Sequence, residues 1–272
     1  MANKRKPKSK APPTSADVDS MAEELRYAGD RADIARICRD ISAHLRSLNL
    51  PEHYWDYIEI GRAAKKNFAQ RLSHALAQKV GNALRAEFEG VNPDVNGKYH
   101  ESKSRSASGL KKLDVNYSTT QMGLGLAISI KTINFKDEKT QRYTKNVKRA
   151  DGELRAEAQD CHTRQPYAVL AAIVLLPEDA ASDGEAGISS LKHAWNVFKH
   201  RGGRSTSADD PSLFELLYIG TYTSDSDSAG RGKVRFFEVT GEMPDWGLPE
   251  TTVSLIEVLA AATRTFQMRN RI

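Results

Sequence analysis

From residue 61 the apolar positions recur every four residues. Phe68, Leu72, Leu76, Val80, Leu84 and Phe88 form one stripe, with Ala75 and Ala83 beside it. That spacing predicts a helix over residues 61–88, stopped by Glu89-Gly90. Upstream, Leu25, Ile34, Ile37, Ile41 and Leu45 mark a second helical pattern over 21–48, which Pro51 interrupts. Tyr54, Trp55, Tyr57 and Ile58 then make an aromatic patch suited to covering a core. Residues 92–109, with Pro93, Gly97 and a run of Ser, Lys and Arg, read as loop.

The period then drops to two. In 113–118, Leu113, Val115 and Tyr117 alternate with Asp114, Asn116 and Ser118. In 123–133, Leu124, Leu126, Ile128 and Ile130 make an apolar face opposite Gly125, Ala127, Ser129 and Lys131. The gap at 119–122 fits an antiparallel hairpin. A polar segment, 134–149, reads as an extended hairpin or loop, followed by a helix over 151–162. The run 167–176 predicts a strand buried on both faces, reached by a crossover. A helix at 190–200, strands at 213–222 and 233–239, and a last helix at 252–266 complete the pattern. The fold class is α/β: a central mixed sheet flanked by helices over 61–272, preceded by a helical addition at 21–60.

Composition sharpens this in a few places. The chain has 272 residues, 39% of them hydrophobic, and its longest apolar run, 168–176, is too short to span a bilayer. The first ten residues hold Lys4, Arg5, Lys6, Lys8 and Lys10 and no acid, which accounts for the whole formal net charge of +5. Residues 1–20 read as a disordered basic tail, with no apolar stretch behind it to make a secretory signal. Cys38 and Cys161 fit neither a disulfide framework nor a CxxC site, so a cytoplasmic location is expected. The neutral remainder hides a basic stretch: residues 98–149 hold 12 Lys and Arg against 4 Asp and Glu. Its two segments, 103–112 and 136–149, could grip phosphates on either side of a scissile bond.

One constellation carries chemistry. Asp114 lies on the polar face of the first hairpin strand, and Ser129 and Lys131 point the same way on the second, among small residues. Glu153 and Glu157, four apart, share one side of the following helix. Such a set suits Mg²⁺, which takes oxygen ligands from one or two carboxylates and keeps waters for substrate. A lysine beside it would steady the attacking water and the pentavalent transition state. Other motifs fail: the run from Asp225 has Phe236 where a calcium loop needs Glu, and no GxxxxGK[ST], HExxH or GxSxG occurs.

Asp114, followed after a strand by Ser129-Ile130-Lys131 in a helix–strand–strand–helix–strand order, resembles the PD-(D/E)XK nuclease core. Leu113 stands where that family has Pro, and Ser129 where it has an acid. The Ser-x-Lys variant with the acid moved to the next helix, here in Arg155-Ala156-Glu157-Ala158, resembles a subgroup of type II restriction endonucleases. The resemblance covers about 61–176 and implies a restriction-endonuclease-like core. It implies Asp114 and Glu157 as metal ligands with the Ile130 carbonyl as a third, Glu153 as rival to Glu157, and Lys131 as the catalytic lysine beside Ser129. It further implies an acid from before the hairpin, Glu87 or Glu101. The activity expected is Mg²⁺-dependent cleavage of double-stranded DNA, with Mn²⁺ able to substitute, in restriction or another defence against foreign DNA. A homodimer is expected because two strands need two sites, as is a partner protein of a defence system, and no membrane. The competing expectation is a non-catalytic nucleic-acid-binding or assembly subunit on the same fold.

Overall fold

The computed structural model of the chain describes residues 61–95, 102–137, 139–183, 187–223 and 234–270. The basic tail, the helical addition over 21–60 and Glu101 lie outside the described residues. The elements run α1 (Gly61–Leu84), β1 (Ser102–Ser106), β2 (Gly109–Leu113), β3 (Val115–Thr119), β4 (Gly123–Thr132), α2 (Val147–Arg164), β5 (Val169–Pro177), α3 (Ser190–Phe198), β6 (Leu216–Tyr222), β7 (Val234–Glu238) and α4 (Leu255–Asn270). Strands β3-β4-β5-β6-β7 form one mixed sheet in sequence order. The β4-β5 and β5-β6 pairs are parallel and the two edge pairs antiparallel. The fold is α/β, with helices on both faces of this sheet.

Strand β5 sets the layering. Every one of its residues is buried. Val169, Ala171, Ile173 and Leu175 pack into one core with the Leu72, Leu76, Val80 and Leu84 stripe of α1 and with Val258, Leu259, Ala262 and Phe266 of α4. Leu170, Ala172, Val174 and Leu176 pack into a second core with Val147, Leu154 and Ala158 of α2 and Leu191, Trp195 and Phe198 of α3. The sheet grows in one direction from β4 to β6, so both crossover helices, α2 and α3, fall on the same face. The first core is locked by edge-to-face rings: Phe88 meets Tyr117 at 5.0 Å and Phe266 at 5.1 Å.

Four local expectations are corrected. Within the stretch read as loop lies strand β1, paired antiparallel with β2 as a separate two-stranded ribbon. Residues 113–118 are not one strand. Leu113 belongs to the α2–α3 core and Val115 to the α1–α4 core, so the chain must turn over at Asp114, because residues two apart in a continuous strand share a face. Leu124 and Leu126 likewise go to opposite cores, because a bulge opposite Tyr117 and Ser118 inserts Gly125. A side chain at Gly125 would strike Met122 and Phe266 within 3 Å. Finally, α2 starts at Val147, four residues earlier than the period predicts.

At the amino-terminal ends of the parallel strands sits a buried ion cluster. Glu215, just before β6, receives the Leu170 N–H at 2.7 Å, Arg204 Nη1 at 2.7 Å and Arg269 Nη1 at 3.1 Å, and His162 Nε2 lies 3.4 Å away. It ties α2, β5, β6 and α4 together. Burial alone would raise the Glu215 carboxyl. The His162 imidazole, the Leu170 N–H and Arg204 outweigh it and hold the group below its ordinary value. No helix among the described residues is long and apolar enough to cross a membrane.

Glu215→Ala strands two buried guanidinium groups and is expected to cost about 3–5 kcal/mol in urea unfolding. Because the folded carboxyl titrates below its unfolded value, this contribution is complete above about pH 4.3 and is lost as pH falls through the lower folded value. Unfolding midpoints of wild type and variant should therefore converge in acid. A gap that persists there would contradict the cluster's role.

Candidate functional site

The carboxyl ends of β4, β5 and β6 lie at one edge of the sheet, opposite the Glu215 cluster. This is the edge at which open α/β sheets present ligands. There β3 ends before β4 does: Val115 pairs with Ile128, and no β3 residue remains for Ile130. Asp114, in the turn between β2 and β3, takes over. Its Oδ2 accepts the Ile130 N–H at 2.7 Å. A strand residue directs its N–H and C=O to the same side. The Ile130 carbonyl therefore faces the same space as the Asp114 carboxylate.

Lys131 follows on the α2 side of β4. Its Nζ lies 3.4 Å from Glu157 Oε2, with side-chain exposures of 24% and 7%. Burial works against the Lys131 ammonium, but Glu157, Asp114 and Glu153 together outweigh it and raise its pKa above the ordinary lysine value. Glu157 moves the opposite way for a carboxylate. Burial dominates and raises it, with Lys131 and then Lys111 only partly compensating. Lys111 comes from β2, on the ribbon's inner face with Ser104.

Beside this pair is a cleft of about 410 Å³ between β4 and α1. Asp114, Ile130 and Lys131 line one wall, and Gln70, Ser73 and His74 the other. The hydroxyls of Ser73 and Thr132, 2.9 Å apart, fasten the helix to the strand end. Glu157 is not a lining residue of the cleft and reaches it through Lys131.

The remaining candidates are placed apart from it. Ser129 is buried on the Lys131 face, opposite Ala172 of β5. Glu153 is exposed and held by Arg149 Nε at 2.8 Å. Glu87 is exposed beyond the carboxyl end of α1 and does not line the cleft. Lys111 and the α1 wall were missed from sequence. Gln70, Ser73 and His74 recur at helical spacing off the apolar stripe, which is the signal that could have found them.

The basic segments differ in how far their charges are already used. In 136–149, Lys136 pairs with Asp179 at 2.7 Å, Lys145 with Asp137 at 3.3 Å and Arg149 with Glu153, and Arg142 donates to the Ile188 carbonyl. Tyr143 is buried, with its N–H on Ser190 Oγ at 2.9 Å. This segment is a loop with one short 3-10 turn before α2, so Glu157 is not carried away from Lys131. Among the described residues no ion pair involves Lys103 or Arg105 of β1. No family model, no curated protein and no solved structure matches this chain.

Glu157→Gln removes the strongest charge that keeps Lys131 protonated and leaves the burial that opposes it. The pKa of Lys131 is expected to drop relative to wild type. Acylation of Lys131 followed against pH by mass spectrometry measures this, and an unmoved midpoint would break the assigned pairing.

Proposed function

We propose that the protein is a Mg²⁺-dependent endonuclease that hydrolyses phosphodiester bonds in double-stranded DNA. The observation that carries this reading is the meeting of Asp114, the Ile130 carbonyl and Lys131 at one strand end, with Glu157 bonded to Lys131. The donors fit the group. Two carboxylates and a carbonyl are hard oxygen ligands of the kind Mg²⁺ takes while keeping waters. Among the described residues no group of three or more His, Cys, Asp or Glu is placed to hold a metal, so the fit is to such a sparse site and not to an all-protein cage. Asp114, Ile130 and Glu157 would hold the ion, which when bound supplies an acidified water and charge neutralisation at the phosphate.

The chain's own residues supply positioning and charge. The Ile130 N–H fixes one oxygen of Asp114 and so orients the carboxylate. Lys131, kept protonated by its acidic neighbours, donates to the water or to a non-bridging phosphate oxygen as negative charge develops there. Glu157 is preferred to Glu153 because Glu153 is exposed and engaged by Arg149. Ser129 takes the place of an acid with a small buried side chain. Cutting both strands calls for a homodimer. Restriction or another defence role, with a partner protein in the cytoplasm, is the setting that the resemblance implies.

A second reading, a non-catalytic nucleic-acid-binding subunit, is favoured by one observation: Glu157 is buried against Lys131 and stands outside the cleft.

Incubation of supercoiled plasmid with the protein and Mg²⁺ is expected to give nicked and linear DNA, and EDTA to prevent it. Lys131→Ala should lower the rate by about 10²–10³-fold, the scale of losing one transition-state donor, with an unchanged circular dichroism spectrum. Well-folded wild-type protein that cuts no DNA would leave the second reading standing.

A further inference from the structure

The β1–β2 ribbon stands outside the main sheet and runs directly into Asp114. Its inner face carries Ser104, Ser106 and Leu113, all buried. Its outer face carries Lys103 opposite Lys112 and Arg105 opposite Leu110. All four are exposed, Leu110 by 64%. Residues 102–113 contain four cations and no acid. The ribbon's turn is clamped to α2. The N–H and hydroxyl of Ser108 each donate to the Asp160 carboxylate at 2.7 Å, and the Ala107 N–H donates to the Asp160 carbonyl at 3.0 Å. A pre-formed ribbon whose outer face carries exposed Lys103 and Arg105 beside Lys112 is complementary to a polyanion. The segment 136–149 is different: three of its six cations are in ion pairs, Lys136 with Asp179, Lys145 with Asp137 and Arg149 with Glu153.

We propose that the outer face of this ribbon is a docking surface for B-form duplex DNA, lying in the major groove next to the cleft. The choice of DNA as occupant rests on the nuclease reading. The B-DNA major groove, about 12 Å wide, admits a two-stranded ribbon, whereas the A-form groove of RNA is too narrow for side chains to read. Lys103 and Lys112, nearest the cleft, contact phosphates. Arg105 and Leu110 present a guanidinium and an apolar side chain, the groups that read guanine and the thymine methyl. Leu110 is four residues from Asp114, about 14 Å along a strand, or about four base-pair steps. Base preference is therefore placed about four base pairs from the cut, on one side.

The test is binding of a labelled duplex by the full chain in EDTA, where cleavage is absent, read by fluorescence anisotropy against salt. Lys103→Ala/Arg105→Ala/Lys112→Ala is expected to weaken binding at least tenfold. It should also flatten the slope of log K against log salt by about 2, for the two lost phosphate-directed charges of Lys103 and Lys112. Arg264→Ala, exposed on α4, should leave both unchanged. Independently of any variant, acylation of Lys103 and Lys112 in the wild-type protein should fall when duplex is added. An unchanged slope, no protection of these lysines, or preference for duplex RNA overturns the ribbon assignment. Cleavage without ribbon dependence leaves the nuclease reading intact, and ribbon-dependent binding without cleavage in Mg²⁺ leaves the ribbon and removes the nuclease.

Discussion

The burial of β5 on both faces is the constraint from which the architecture follows. A nine-residue strand with no wet side must be covered twice, so helices are needed above and below it. Parallel neighbours on both sides require crossovers, and these put α2 and α3 on one face, leaving α1 and α4 for the other. The same arrangement gives the sheet two unlike ends. One is sealed by Glu215 and its cations, and the other opens between β4 and α1.

What the sequence revealed tracks how much apolar surface each element buries. The stripe of α1 and the continuous run of β5 were plain, because each is long and sits in a core. The β3–β4 hairpin was visible, but its faces were not. The overturning of the chain at Asp114 and the bulge at Gly125 each change parity without leaving a mark in the alternation. Strand β1 was invisible because Ser-Lys-Ser-Arg-Ser has no hydrophobic period to detect, although Ser104 and Ser106 are buried. Within the site, Lys131 and Glu157 were legible as a pair of periods, two on a strand and one helical turn. Glu87 was misleading because helix length alone does not say which end faces the cleft.

Charge is distributed so that burial and pairing disagree at one place. Glu215 and Glu157 are both buried, yet the carboxyl of Glu215 is lowered and that of Glu157 is raised. The difference is the number of donors. Glu215 has a backbone N–H, two guanidinium groups and an imidazole around it. Glu157 has one lysine at 3.4 Å and a second further off. A single lysine does not offset the burial of Glu157, whereas four donors offset that of Glu215.

The seam between the ribbon and α2 joins two parts that the sequence keeps far apart. Asp160, which holds the ribbon's turn, is three residues from Glu157 and lies one helical turn along the same helix. The other end of the ribbon continues into Asp114. Both carboxylates are thus mounted on one frame whose outer bar faces solvent. The ribbon is therefore fixed at both ends, at its turn by the helix that carries Glu157 and at its base by the chain that enters Asp114.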